Sequence, residues 1–289
     1  MVNYILINYG KFPEYTSSVV DSILISEKNP NIFLCSDESI NHLEINKNKV
    51  KYINLNEVQT DRTRDVINLN YYKNLDNQLW KTSLWRIFAI SDVIKHLDVS
   101  SFIHFDNDVL IYHPHTSFIK DIDLRRIYMT KLNDTSFVLS YMYCGDVDIY
   151  EKFIQKLYKH ISTEKFLKRV NKKKNIYKYN EMNLINIINK KFNYIETLPT
   201  IPSSDVDYIF DPADYGFLID GHFYEDGVSN IYADNFVGKF LLTNKPDLIF
   251  KDQKPKLTYK NKDYDIVNLH IHSKNLRKFL VNPIPPVIK

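Results

Sequence analysis

The sequence predicts an α/β fold with a mixed, mainly parallel sheet flanked by helices. Three observations carry that prediction. Apolar runs of strand length alternate with helix-patterned segments from the start of the chain. The segment Leu84 to Leu97 reads as a helix that is apolar on nearly every side. The run that follows it, Ser101 to Pro114, is apolar, aromatic and β-branched until it meets two carboxylates, Asp106 and Asp108, with Asn107 between them. A buried parallel strand has this continuous apolar character, and ligands of open α/β sheets bind where such strands end.

Val2 to Asn8 reads as the first strand, broken by Gly10 and Pro13. Thr16, Ser17 and Ser18 are candidate caps for a helix carrying Val19, Val20, Ile23 and Leu24. A strand from Asn31 to Cys35 follows, ending in Ser36, Asp37 and Glu38. Strand, helix, strand implies a right-handed parallel crossover. Val50 to Leu55 is a further strand, and the polar stretch Asn56 to Asp76 reads as a loop or mobile insertion. In the helix Leu84 to Leu97, one stripe holds Leu84, Ile87, Phe88, Ser91 and Ile94, and a second holds Ala89, Ile90, Val93 and Leu97. A helix apolar all round is buried, so Arg86 in its first turns requires an anion. Alternation puts Asp106 and Asp108 on one side of their strand, near enough to share a hard divalent cation. The competing reading of such a pair is a solvated turn.

Beyond the central strand, Thr135 to Met142 reads as a strand and Ile149 to Ile161 as a helix. Lys165 to Lys178, which contains Lys172, Lys173 and Lys174, reads as a solvated basic face. Peripheral contact with an anionic membrane, or with a lipid diphosphate, is the second reading of that stretch. Asn180 to Ile188 is a short helix. Phe210 to Gly221 is a turn cluster in which Asp211 precedes Pro212, and it holds two of the six glycines, Gly216 and Gly221. In Asp265 to Leu276, Val267, Leu269 and Ile271 share one strand face while Asn268, His270 and His272 share the other. Two imidazoles on one face, followed by Ser273 and Lys274, suit metal ligation or phosphate contact.

Composition bounds the function. With 289 residues, 44% hydrophobic and 25% charged, the chain reads as a single domain, 1–289. A net charge of +3 from 38 basic and 35 acidic groups gives no argument for nucleic acid as a partner. Cys35 and Cys144 form neither a disulfide framework nor a metal spacing, and read as buried free thiols. The first residues lack the pattern of a signal peptide, and no uncharged apolar run of about eighteen residues occurs. The expected location is therefore cytoplasmic.

The order of Leu79 to Phe88, helix, then Phe-Ile-His-Phe-Asp-Asn-Asp-Val-Leu resembles the nucleotide-sugar half of glycosyltransferases with the GT-A (Rossmann-like) fold, of the bacterial and viral type. That resemblance implies a nucleotide-sugar half at 1–114 and an acceptor half at 115–289. It implies a divalent metal, Mn2+ or Mg2+, held by Asp106 and Asp108 on the diphosphate of a UDP- or GDP-sugar donor, with Asp106 also at the ribose. Arg86, Asn8 and Tyr9 would lie near the nucleotide. His-Ser-Lys resembles the C-terminal motif of that class, which implies that His272 or His270 completes the metal shell, His272 being the expected ligand, and that Lys274 meets the diphosphate. Asn180 and Glu181 stand where many of these enzymes carry a polar pair such as Asp-Gln, which makes Glu181 a catalytic candidate. Phe210 to Gly221 resembles the loop beside the acceptor.

The implied reaction moves a sugar to a hydroxyl of a glycan, glycolipid or protein-linked glycan. An inverting reaction needs a carboxylate to deprotonate the acceptor. Asp211 is the first candidate, with Asp214, Glu225 and Asp226 behind it. A retaining reaction needs no base in that place. Two other classes remain open: a phosphohydrolase with Asp106 as nucleophile and Asp108 as acid, and a non-catalytic sugar-binding domain of the same fold.

Overall fold

The structure is a computed structural model that describes residues 2–69, 78–118, 122–172, 179–219 and 234–280. The first strand, β1 (Asn3–Asn8), lies parallel to β2 (Asn31–Ser36), and β2 lies parallel to β3 (Val50–Asn54). Between β1 and β2 runs α1 (Thr16–Ser26). These join β4 (Phe102–His104), β6 (Ile127–Asn133), β7 (Ser136–Cys144) and β8 (Ile195–Thr197) in a seven-stranded sheet of order β3-β2-β1-β4-β7-β6-β8. Only β7 runs against the other six described strands. The mixed, mainly parallel α/β architecture expected from the sequence is the one observed.

Strand alternation divides the core. Tyr4 and Leu6 of β1 pack on one face of the sheet with Val19, Val20 and Ile23 of α1 and with Phe210, Leu257 and Leu269 from late in the chain. Ile5 and Ile7 point to the other face, where they meet Leu84, Ile87, Phe88, Phe153 and Ile185. Helices on that face are α2 (Leu55–Val58), α3 (Asp61–Asn68), α4 (Gln78–Leu97), α5 (Val147–Ile161), α6 (Glu164–Lys172) and α7 (Glu181–Phe192).

The fold corrects four expectations. Much of the supposed loop Asn56 to Asp76 is helical: Asn54 caps α2 through the Asn56 N–H, and α3 buries Thr63 and Val66. Its burial rests partly on polar contacts, such as Thr60 to Asp92, which a polar composition hides. Residues 70–77 lie outside the described residues. The central strand is two strands, since the chain turns at Asn107 and Asp108, and β5 (Val109–Ile111) leaves the main sheet to pair antiparallel with β13 (Asn268–His270). The turn cluster after Phe210 contains a short helix, α8 (Asp214–Ile219). Strand β6 was not foreseen, because Lys131 and Asn133 interrupt its apolar alternation.

A second sheet, of order β10-β11-β12-β9, comprises β9 (Tyr208–Ile209), β10 (Asp247–Lys251), β11 (Lys254–Tyr259) and β12 (Lys262–Ile266), and α9 (Phe236–Asn244) lies between β9 and β10 in the chain. The single strand expected over Asp265 to Leu276 is therefore the end of β12, then β13, then a turn in which Lys274 has a φ of 64°. Cys35 and Cys144 are buried free thiols. Within the basic stretch, Lys168 of α6 pairs with Glu164. Among the described residues, no helix is long and apolar enough to cross a membrane.

Candidate active site

At the carboxyl ends of β1 and β4 the structure opens a cleft of about 560 Å³. Asn8, Tyr9, Tyr15, Arg86, Asp106, Asp108, Glu181, His270, His272 and Lys274 are on its wall. Six of these positions had been singled out in the sequence through the strand end, the helix arginine and the His-Ser-Lys segment, and Asn8, Tyr9 and Glu181 join them there.

Each arrives by a traceable route. Asn8 ends β1 and holds the following turn, donating from Nδ2 to the carbonyls of Gly10 (2.9 Å) and Lys11 (3.0 Å). Asn107 donates to the Ile7 carbonyl at 3.1 Å and to Asn8 Oδ1 at 3.2 Å, which fixes the Asp106–Asp108 turn against β1. The Tyr9 ring meets Trp85 edge-on at 5.5 Å. Arg86, half-buried on the cleft wall, finds its anion in Asp106, with Nη1 2.5 Å from Oδ1.

The C-terminal segment completes the cluster. Antiparallel pairing sets His270 opposite Val109, and the Ile271 N–H donates to the Asp108 carbonyl at 2.9 Å. His270 Nε2 thereby lies 3.0 Å from Asp108 Oδ1, and Lys274 Nζ pairs with Asp108 Oδ2. Burial pushes the Asp108 carboxyl upward, but His270 and Lys274 outweigh it and hold it well below the usual carboxylate range. Burial disfavours the charged form of His270, and Asp108 reverses that, leaving the imidazole above its ordinary value.

One donor atom each from Asp106, Asp108 and His270 lie within 4.8 Å of one another. The structure brings His270, rather than His272, to the two aspartates. β13 ends at His270, and the turn after it aims His272 Nε2 at the Ala213 carbonyl, 3.2 Å away. The His272 ring stacks between Phe217 (3.7 Å) and His270 (4.4 Å). Burial and the charge of His270 hold it neutral, down to about 2.

The carboxylates expected as bases separate. Glu181 opens α7, capped by Asn180, with its carboxyl buried and Oε2 lacking a hydrogen-bond partner. Burial pushes it up to about 7 despite Arg86 nearby. Asp211 is fully buried and off the cleft wall, and its two oxygens accept from the N–H groups of Ala213, Tyr215, Gly216 and His270. A carboxylate whose oxygens accept four backbone N–H groups is turned away from the cleft, unlike the placement expected of a base at the acceptor. Asp214 is also off the wall, pushed up to about 8 by burial and by Asp211. Glu225 and Asp226 lie outside the described residues.

Sequence reading missed Tyr15, Trp80, Ser83, Leu132, Val138 and Met182 on the wall. A signal for one of them was present: Ser83 and Arg86 are three apart on α4, hence on one helix face, amid apolar neighbours.

The fold is similar to that of solved glycosyltransferases. Two are structures of LgtC, one an active-site mutant and one the galactosyltransferase in complex with donor and acceptor sugar analogs. Each is 11% identical over 94% of this chain and 87% of that one, with TM-scores of 0.49 and 0.46. A third is the apo-form glycosyltransferase GlyE of Streptococcus pneumoniae TIGR4, 9% identical over 79% of this chain and 51% of that one, with a TM-score of 0.44. No protein-family profile matches the sequence, and no curated protein matches it.

Proposed function

We propose that the chain is a divalent-cation-dependent glycosyltransferase that moves a sugar from a nucleoside diphosphate, UDP or GDP, to a hydroxyl of a glycan or glycolipid. One observation carries this reading: Asp106, Asp108 and His270 converge in a single cleft with the cationic side chains of Arg86 and Lys274. Two carboxylates and an imidazole with donor atoms within 4.8 Å suit a hard or borderline divalent ion such as Mn2+ or Mg2+. His270 Nδ1, buried without a hydrogen-bond partner, marks an imidazole whose polar contacts are incomplete. When bound, the cation supplies positive charge against the leaving diphosphate.

The protein's own groups do the rest. Arg86 and Lys274 bring fixed positive charge to the phosphate end of the cleft, where two carboxylates alone would repel a diphosphate. Tyr9, packed on Trp85, and Asn8 form the nucleoside side of the wall. Tyr15, Trp80, Leu132, Val138 and Met182 exclude water around the reacting sugar. Apart from Asp106 and Asp108, Glu181 is the carboxylate on the wall among the described residues, and we assign it the catalytic role at the sugar. Held at about 7, it exchanges a proton near neutral pH. A phosphohydrolase would need Asp106 as a free nucleophile, whereas Asp106 is paired with Arg86.

A panel of nucleotide sugars, followed by thermal shift and by donor turnover in manganese and in chelator, tests the reading. Stabilisation by one donor class that disappears in chelator is expected. Equal nucleotide affinity in both conditions, or phosphate release from monoesters without glycosyl transfer, overturns it.

A further inference from the structure

The buried carboxylate of Asp211 joins two chain segments that lie far apart in sequence. Oδ1 accepts from the N–H groups of Ala213 (2.9 Å) and Tyr215 (3.0 Å), and Oδ2 accepts from those of Gly216 (2.9 Å) and His270 (3.0 Å). The first three donors open α8, and the fourth is the backbone of the imidazole that faces Asp108. The Asp211 backbone is held as firmly: its N–H donates to Asn268 Oδ1 and its carbonyl accepts from Asn268 Nδ2, each at 3.1 Å, while Ser140 of β7 donates from its hydroxyl to the same carbonyl. Gly216 supplies a steric condition. A Cβ there would lie 2.0 Å from the His270 carbonyl oxygen, so α8 reaches β13 only because this residue has no side chain. On its other edge β13 is bound to β5, the strand that begins just after Asp108.

We propose that Asp211, with Gly216, is the positioning element for His270, setting the direction of its imidazole toward Asp106 and Asp108 and hence the site's affinity for a divalent cation. This inference rests on the glycosyltransferase reading for the cation and goes beyond it in assigning the residues that orient its nitrogen ligand. A carboxylate is required because all four groups it faces are donors; an amide in its place turns one donor against another.

The test is Mn2+ binding by calorimetry and the visible absorption of Co2+ on the full chain, for the wild type, Asp211→Asn, Gly216→Ala and His270→Ala. Asp211→Asn is expected to lose about 10- to 100-fold in Mn2+ affinity, as for other outer groups that orient a metal ligand, and to change the Co2+ spectrum. Turnover should recover toward wild type as Mn2+ is raised, giving a larger change in the metal KM than in kcat. Gly216→Ala, which alters no hydrogen-bonding side chain, should move affinity the same way. If His270→Ala loses Mn2+ while Asp211→Asn binds it normally and only turnover collapses, Asp211 is a base and the inference falls alone. Unchanged Mn2+ affinity with a lowered Tm in both Asp211→Asn and Gly216→Ala also overturns it. A wild-type chain that binds no divalent cation overturns the proposed function, and this assignment with it.

Discussion

Two clusters of charge flank α4, and they are built differently. Ser91 and Lys95, about 140–180° round the helix from Arg86, meet Glu151 and Arg62. The Arg62 guanidinium grips Glu151 with two nitrogens, at 2.6 and 3.1 Å, and Ser91 (2.6 Å), Lys95 (3.2 Å) and Gln155 (3.2 Å) also reach that carboxylate. Only Arg62 Nε is left over in that group. Around Arg86 the opposite holds: Arg86 Nε, Glu181 Oε2 and Asn107 Oδ1 are all buried without a hydrogen-bond partner. Native interiors pair their buried polar atoms, so a concentration of orphans on one side of a helix whose other side is satisfied marks where a ligand's atoms belong.

The comparison also sets opposite responses to pH. Burial alone would raise Glu151, but the hydrogen bonds of Arg62 and Ser91 bring it down to about 2 from 4.5. An acid depressed by folding stabilises the native state above its unfolded value, and that contribution disappears as pH falls from about 4.5 toward about 2. Glu181 is raised from 4.5 to about 7, so the native state is favoured below about 4.5 and loses that advantage as pH rises through about 7.

Four experiments break or sharpen the contrast. The largest effect should come from Asp108→Asn, which removes charge from the open cluster: donor turnover should drop by about 10³-fold or more, as when an electrostatic contact of the transition state is lost. Turnover within tenfold of wild type would place the chemistry elsewhere. Glu181→Gln should lower turnover by about 10²-fold, as for loss of an acid–base group. It should also raise stability at pH 8 by about 2–3 kcal/mol, a gain that vanishes below pH 4.5. Urea denaturation from pH 4 to 8 reads the difference, and parallel profiles for variant and wild type would show that Glu181 is not held protonated by its site. Arg62→Met strands Glu151 in the closed cluster and should cost about 2 kcal/mol at pH 7, less toward pH 2, with kcat retained below the Tm. A fall in kcat without loss of stability would mean that the closed cluster is part of the site. The smallest effect should be that of Lys274→Met, an exposed stem: nucleoside diphosphate affinity should weaken by about tenfold and monophosphate affinity by less. Equal losses for the two would remove Lys274 from the phosphates.

The acid pair was legible because charge interrupts an apolar run, a local event. So was the shared face of Asn268 and His270, since strand alternation has a period of two. Which imidazole reaches the aspartates was not legible: it depends on the register that sets His270 against Val109, a pairing no local pattern specifies. Asp211 illustrates the same limit. Its place before a proline suggested a turn at an acceptor site, but its fourth donor comes from residue 270, 59 positions away, and only that partner shows the carboxylate facing inward. Helix α3 was obscured for a different reason: Arg62 makes its burial through an ion pair with Glu151, so composition read as solvent-facing.

The partnership of β5 with β13 also has a kinetic side. Lys274 and Asp108 are 166 residues apart in the chain, whereas β1, α1 and β2 are immediate neighbours in sequence. Closing so long a loop carries an entropy cost that local elements avoid, and contacts of this separation slow folding. During synthesis the acid pair emerges well before its imidazole and lysine. The parallel half can therefore collapse while Asp106 has only Arg86 as counter-charge and Asp108 has neither of its later partners. Capture of residues 268–274 is then the step that brings His270 and Lys274 to Asp108, and a chain that has not completed it has the main sheet without the assembled cluster.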